Sequence, residues 1–253
     1  MSRKLTGCCN CMIALHKIAD GKTTFEKPQA IEDLEAFNYS YNYAEGSNYA
    51  DNKQNIYKKK KVSVNIDLDF SAISLKIKAL LQGKKYSQGG ASSNPNDQSA
   101  PVAVLFQKNY DDGSYENVVF YNVKLYEKDN SNATEGESIN YTSQGFLGVG
   151  LSFTNDDING DFEYIMDSAD PNVNKAKLDS FFEAVKFYEE AKIDVAYTGY
   201  TTGNVTDISV KGATFDTGAK KFKGIPESTT RFTFKLDQAQ KTATKGVDAW
   251  EFK

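Results

Sequence analysis

Phe37, Tyr39, Tyr41 and Tyr43 alternate with Asn38, Ser40 and Asn42, and this period of two predicts a strand across Ala36 to Tyr49. Glu45-Gly46-Ser47-Asn48 supplies turn chemistry within it. A cleaner alternation follows. Val62, Ile66, Leu68 and Phe70, with Val64 between them, take one side, and Ser63, Asn65, Asp67 and Asp69 take the other. One face of that strand meets a core and the other meets solvent or a lumen. The spacing then changes to that of a helix. Ile73, Ile77, Leu80 and Leu81 share one stripe of Ser71 to Gln82, and Gly83 stops it. Upstream, residues 5–15 mix small and apolar types as a first strand, and Thr24 to Ile31 is interrupted by Pro28.

Gly89 to Asn96 is composed as a flexible loop. Val102 to Phe106 reads as a buried strand, Asp111-Asp112-Gly113-Ser114 as a turn and Val118 to Tyr126 as the returning strand of a hairpin. Asp129 to Ser138 is polar and expected to be exposed. Leu147, Val149, Leu151 and Phe153 then alternate with Gly148, Gly150 and Ser152, which predicts a strand whose nearly bare second face lets another backbone come close. Asp170-Pro171 offers a cap and a first helical position. Leu178, Phe181, Phe182, Val185 and Tyr188 continue it as an amphipathic helix. From Ile193 onward the pattern is short strands with Gly and Thr, clearest over Ile208 to Phe215 and Thr229 to Leu236.

Composition supports a β reading: 16 Phe, 15 Tyr and only 5 Pro in 253 residues. A net charge of −4 argues against a protein that grips phosphates tightly. Cys8, Cys9 and Cys11 are too crowded to pair well, and no distant cysteine exists to close a loop, which fits a reducing compartment. No apolar run reaches the length of a membrane span. Leu5-Thr6-Gly7-Cys8 looks like a lipoprotein cleavage box, but no apolar segment precedes it and no export is expected.

The candidate chemistry is thin. The single histidine, His16, lies among Ile13, Leu15 and Ile18 and reads as a packed residue. Gly21-Lys22-Thr23 has His16 where a phosphate-binding loop needs its first glycine. Cys8, Cys9, Cys11 and His16 lack zinc-ligand spacing. Asn155 to Gly160 starts like a calcium loop but has Met166 where a bidentate glutamate belongs, leaving at most a weak cation site at Asp157 and Asp161. No catalytic residue, cofactor or metal is therefore expected. The lysine run Lys58 to Lys61 reads as a self-assembly element, one subunit's lysines meeting another's carboxylates.

Several of these segments, taken in order, resemble the major tail proteins of siphovirus-type bacteriophages. Tyr49-Ala50-Asp51-Asn52, followed by the alternating strand and the helix ending at Gly83, is similar to that family's signature region. Val102 to Phe106, Val118 to Lys124, Ser138, Thr142 and the strand to Phe153 are similar to its second block, and the helix ending near Val185 to its late helix. The resemblance covers roughly residues 1–185 in order. It divides the chain into a tail-tube β-domain, 1–185, and a C-terminal β-rich extension, 186–253, in the same sheet or a small appended unit.

The resemblance implies a mainly β fold with a flanking α-helix: a tail-tube β-sandwich or barrel with a long hairpin, closing into hexameric rings that stack as a hollow tube. If each copy lends about four strands, about 24 strands at ~4.8 Å give a backbone diameter of roughly 37 Å, wide enough for a DNA duplex. It implies that Ser63, Asn65, Asp67 and Asp69 face the lumen, and that Tyr49, Asp51, Lys58, Lys59, Lys60 and Lys61 belong to a loop reaching the next ring. The implied partners are further copies, a tape-measure protein and then DNA in the lumen, and tail-terminator and distal tail proteins at the ends, with no membrane. The implied place is the virion tail, after synthesis in the host bacterial cytoplasm. The inner tube of a contractile tail or tail-like bacteriocin shares the fold. A β-rich adhesin or carbohydrate-binding domain, with tyrosines stacking on sugars, is the alternative from another class.

Overall fold

The computed structural model describes residues 2–19, 22–50, 53–129, 142–190, 192–246 and 249–253. The chain is mainly β. It forms two compact units, Met1–Phe187 and Tyr188–Lys253, dividing close to the boundary expected from the sequence.

In the first unit the strands are β1 (Leu5–Ala19), β2 (Lys22–Phe25), β3 (Gln29–Ala30), β4 (Leu34–Ala50) and β5 (Lys53–Phe70), then helix α1 (Leu75–Gln82), β6 (Lys85–Ser87), β7 (Gly90–Ser92), β8 (Pro101–Tyr110), β9 (Tyr115–Glu127), β10 (Gln144–Leu151), β11 (Phe153–Thr154), β12 (Asn159–Asp161), β13 (Glu163–Asp167) and α2 (Lys175–Asp179). Among the described residues, nine of these strands make one sheet in the order β2-β1-β8-β9-β10-β5-β4, with β13 also on β9 and β3 also on β1. The ladders are antiparallel, and the sheet curls into a half-barrel.

The curl encloses one core and turns its back on another. Inside lie Val64, Ile66, Leu68 and Phe70 of β5, Val104 and Phe106 of β8, Val118 and Phe120 of β9, and Phe37 of β4. Phe37 stacks on Phe106, with ring centroids 3.6 Å apart. Ala103, Leu105, Val119 and Tyr121 alternate with these and meet Phe153, Met166, Leu178, Phe181 and Val185 on the other side. Val102–Phe106 of β8 and Val118–Tyr121 of β9 are thus covered on both faces, which is why those stretches read as unbroken apolar runs. Helix α1 is capped by Ser74, whose side chain accepts from the Ile77 N–H, and by Gly83 at φ 68°.

Four expectations from the sequence are corrected. Glu45-Gly46-Ser47-Asn48 makes no turn: it lies within β4, opposite Lys59, Lys58, Tyr57 and Ile56. The cross-strand ladder and the Glu45–Lys59 ion pair, 2.7 Å, keep the backbone extended there. Gly89 to Asn96 contributes to the small β6–β7 hairpin. The long late helix is only Lys175–Asp179. Asp170 closes a turn instead of opening a helix, with Oδ1 accepting from the Asn172 N–H at 2.8 Å; Asn174 is the true cap, and tighter turns follow Asp179. Leu178, Phe181 and Val185 nevertheless keep one face and pack on the second core, while Tyr188 is exposed in the other unit.

The fourth correction concerns β10. Its glycines face the core and its leucines face outward. A Cβ at Gly148 would lie 2.6 Å from Leu125 Cδ2, and one at Gly150 2.5 Å from Val64 Cγ1. The bare face admits the large side chains of β5 and β9, not another backbone. Of the polar stretch 129–138, residues 130–138 lie outside the described residues.

The second unit has its own core: Val195, Tyr197, Tyr200, Phe222, Ile225, Phe232, Phe234 and Ala243. Its strands are β14 (Lys192–Ala196), β15 (Val205–Thr206), β16 (Thr214–Asp216), β17 (Lys221–Pro226), β18 (Arg231–Leu236), β19 (Ala239–Lys245) and β20 (Trp250–Phe252). They form a three-stranded sheet, β14-β17-β16, and a four-stranded sheet, β15-β18-β19-β20. Most of the strand expected over Ile208 to Phe215 is turn, and only Thr214–Asp216 is extended. The extension is therefore a separate unit, not a continuation of the large sheet.

Candidate self-assembly surface

The β4–β5 hairpin is the feature the sequence pointed to, and its two halves differ. From residue 64 to 70, β5 is paired on both sides, with β4 and with β10. From Lys53 to Ser63 it pairs only with β4, and β4 has no second ladder partner among the described residues. Residues 43–50 and 53–61 therefore make a two-stranded arm whose edges are both unpaired among the described residues, and the Cα register slips between Asn42–Ser63 and Tyr43–Lys61, where the arm begins. The expected loop from Tyr49 to Lys61 is thus strand for most of its length: Lys58, Lys59, Lys60 and Lys61 lie in β5 and Tyr49 in β4. Asp51 lies outside the described residues.

One face of β4, running into the arm, carries a row of rings. Tyr39, Tyr41 and Tyr43 touch edge to face, with centroids 5.7 and 6.5 Å apart. Each has an ammonium group over it: Lys108 on Tyr39 at 5.2 Å, Lys61 on Tyr41 at 3.5 Å and Lys59 on Tyr43 at 4.5 Å. Each lysine also has a carboxylate: Glu116 at 3.3 Å, Glu163 at 3.2 Å and Glu45 at 2.7 Å. The Tyr41 hydroxyl donates to Glu163, 2.5 Å to Oε1, so that Glu163 on β13 clamps the root of the arm. Burial first, and then Glu163, pushes the Tyr41 hydroxyl well above the ordinary phenol range. Lys59 and Lys61 thus find carboxylates within their own chain, contrary to the expectation that all four lysines await a neighbour. Lys58 and Lys60 are exposed and alternate onto the opposite face, with Ala44 and Gly46.

Ser63, Asn65, Asp67 and Asp69 do share the β5 face that points away from the core. Asn38, Ser40 and Asn42 of β4 lie beside them, and the Asn42 amide bonds Ser63 at 3.0 Å and Asn65 at 2.9 Å. The face is not acidic in balance. Lys128 Nζ bridges Asp67 and Asp69, 2.6 Å from the latter, and Lys124 is exposed across the sheet. Nor is it wholly polar: Leu147 opposes both Asp67 and Tyr126, and Leu147, Leu151 and Tyr126 are exposed. Period-two reading of β5 found the carboxylates. Lys128 and the leucines come from strands whose pairing no local pattern announces.

The remaining sequence candidates make packing and turn contacts. His16 Nε2 contacts the Tyr121 carbonyl at 2.8 Å and its ring meets Phe25 and Phe153; burial lowers its pKa. Cys11 is buried, which pushes its thiol up to about 12. Asn155 Oδ1 accepts from the N–H groups of Asp157 and Ile158, closing its own turn. Among the described residues no three His, Cys, Asp or Glu side chains converge as a metal site, and no helix is long and apolar enough to cross a membrane. Neither a protein-family model nor any curated protein matches this chain.

Proposed function

We propose that the chain is a subunit of a hollow, self-assembled tube: the major tail-tube protein of a long-tailed bacteriophage with a non-contractile tail. The observation that carries this reading is the arm of residues 43–50 and 53–61, whose outer edges have no ladder partner among the described residues. A two-stranded ribbon standing beyond its sheet is marginal by itself, and its free N–H and C=O rows invite further strands. Copies of the same chain supply them at fixed stoichiometry, and a closed ring leaves no edge over. Hexameric rings stacked into a tube would place the face of Ser63, Asn65, Asp67 and Asp69 toward the lumen. Its near balance of Asp67 and Asp69 against Lys124 and Lys128 suits a surface over which tape-measure protein and then DNA slide without being held. Terminator and distal tail proteins would close the ends.

The adhesin reading needs bare tyrosine faces for sugars, and Tyr39, Tyr41 and Tyr43 each have a lysine over the ring. The test is negative-stain microscopy and light scattering of the purified chain, beside a variant in which residues 44–60 are replaced by a short turn. Tubes or rings are expected from the intact chain and a folded monomer from the variant. An intact chain that stays monomeric at high concentration, or a variant that still polymerises, refutes the proposal.

A further inference from the structure

From the distribution of charge we infer that the Lys58–Lys60 face of the arm docks head to tail on the Glu32, Asp33 and Glu35 end of a second copy. The inference rests on the self-assembly reading and names its contact. The sequence from Tyr43 to Lys61 holds five lysines against Glu45 and Asp51, a net of +3; the chain's net of −4 leaves −7 on the remainder. A basic arm on an acidic body is attracted to other bodies of its kind. Within the arm, Lys59 and Lys61 already have Glu45 and Glu163, which leaves Lys58 and Lys60 facing out beside the small Ala44 and Gly46. Small residues let a partner surface approach the ribbon closely.

The receiving end lies at the other extreme of the same hairpin. Leu34 pairs with Phe70, and Glu32, Asp33 and Glu35 are exposed there; the Glu35 carboxylate accepts from the Ser143 hydroxyl. Beside them runs a groove lined by Cys9, Asn10, Met12, Ala30, Glu32 and Asp33. It is opened by a bulge in β1, where Asn10 takes φ 56° and the pairing with β8 slips between Cys9 and Met12. An apolar floor with a carboxylate rim fits a flat strand edged by lysines. Donor and acceptor at opposite ends of one hairpin make a heterologous contact, which repeats along an axis. The eleven steps from Lys59 to Phe70, at ~3.3 Å each, separate the two ends by roughly 36 Å. That is the expected displacement from copy to copy. Lys76 and Lys78 begin α1 near this end, so removing their charge should favour the contact.

The test uses the full chain and reads the critical concentration for assembly by light scattering. K58E/K60E and E32K/D33K/E35K should each raise it at least tenfold. The chain carrying both sets should recover to within about threefold of the original, and K76Q/K78Q should lower it. Circular dichroism controls for folding. If the original chain assembles and the reversals change nothing, or the combined chain is no better than either half, the inference falls and the tube reading stands. If nothing assembles, both fall. If K58E/K60E abolishes binding of a DNA duplex while assembly is unchanged, the lysines serve nucleic acid and the inference is overturned.

Discussion

Replacing Gly148 by alanine adds one methyl group to a tightly packed point of the first unit's inner core. The new carbon would sit 2.6 Å from Leu125 Cδ2, and 3.2 Å from both Val123 Cγ1 and the Lys124 carbonyl. Val123 and Leu125 are fully buried, so neither can swing toward solvent. Overpacking of this kind costs about 1–3 kcal/mol. Removing a glycine from a strand returns about 0.5–1 kcal/mol through the unfolded chain. The net expectation is a destabilisation of about 0.5–2 kcal/mol, which at a urea dependence of ~2 kcal/mol per molar lowers the midpoint by about 0.25–1 M. Far-ultraviolet circular dichroism follows the whole chain. The fluorescence of Trp250, the chain's single tryptophan, follows the second unit and should not move. Leu147→Ser, one residue away on the exposed face, should cost under about 0.5 kcal/mol. A neutral or stabilising alanine at 148, with a costly serine at 147, would mean that β10 presents the opposite face to the core.

Three further outcomes are expected. Glu163→Ala strips the acceptor from the Tyr41 hydroxyl and the partner from Lys61; a hydrogen bond to a charged group is worth about 1.5–3 kcal/mol, so amide exchange at 41–47 and 57–63 should accelerate at least tenfold while β8 and β9 stay protected. Uniform exchange across the sheet would show that Glu163 does not clamp the arm. His16 has a folded pKa below its ordinary 6.5 because burial disfavours the imidazolium; the unfolded chain therefore binds the proton first, and stability should decline as the pH falls below about 6.5. His16→Phe should remove that part of the decline, and an unchanged pH profile would contradict the burial. Because the two units have separate cores, a chain ending at Phe187 should keep a cooperative unfolding transition, and loss of that transition in a calorimeter would disprove their independence.

Local pattern determined much of this protein by itself. The alternations through β4 and β5, the apolar runs of β8 and β9 and the Gly83 stop of α1 are each legible in a few neighbouring residues, because backbone period and side-chain polarity coincide there; the start of α1, expected at Ser71, falls instead at Leu75 behind the Ser74 cap. The outward face of Ser63, Asn65, Asp67 and Asp69 followed from the same period. Tertiary structure decided the rest. Which side of β10 turns inward depends on what its neighbours bring. Val64, Val123 and Leu125 leave room only for hydrogen, so the glycines take the core and the leucines the surface. Asp170 and Asn174 compete for one helix start, and their turns, not the apolar stripe, set its length. Lys128 reaches Asp67 and Asp69, and Glu163 reaches Tyr41, across more than fifty residues of chain. Such pairs form only when the sheet curls, because period fixes a face whereas neighbours across strands are fixed by register.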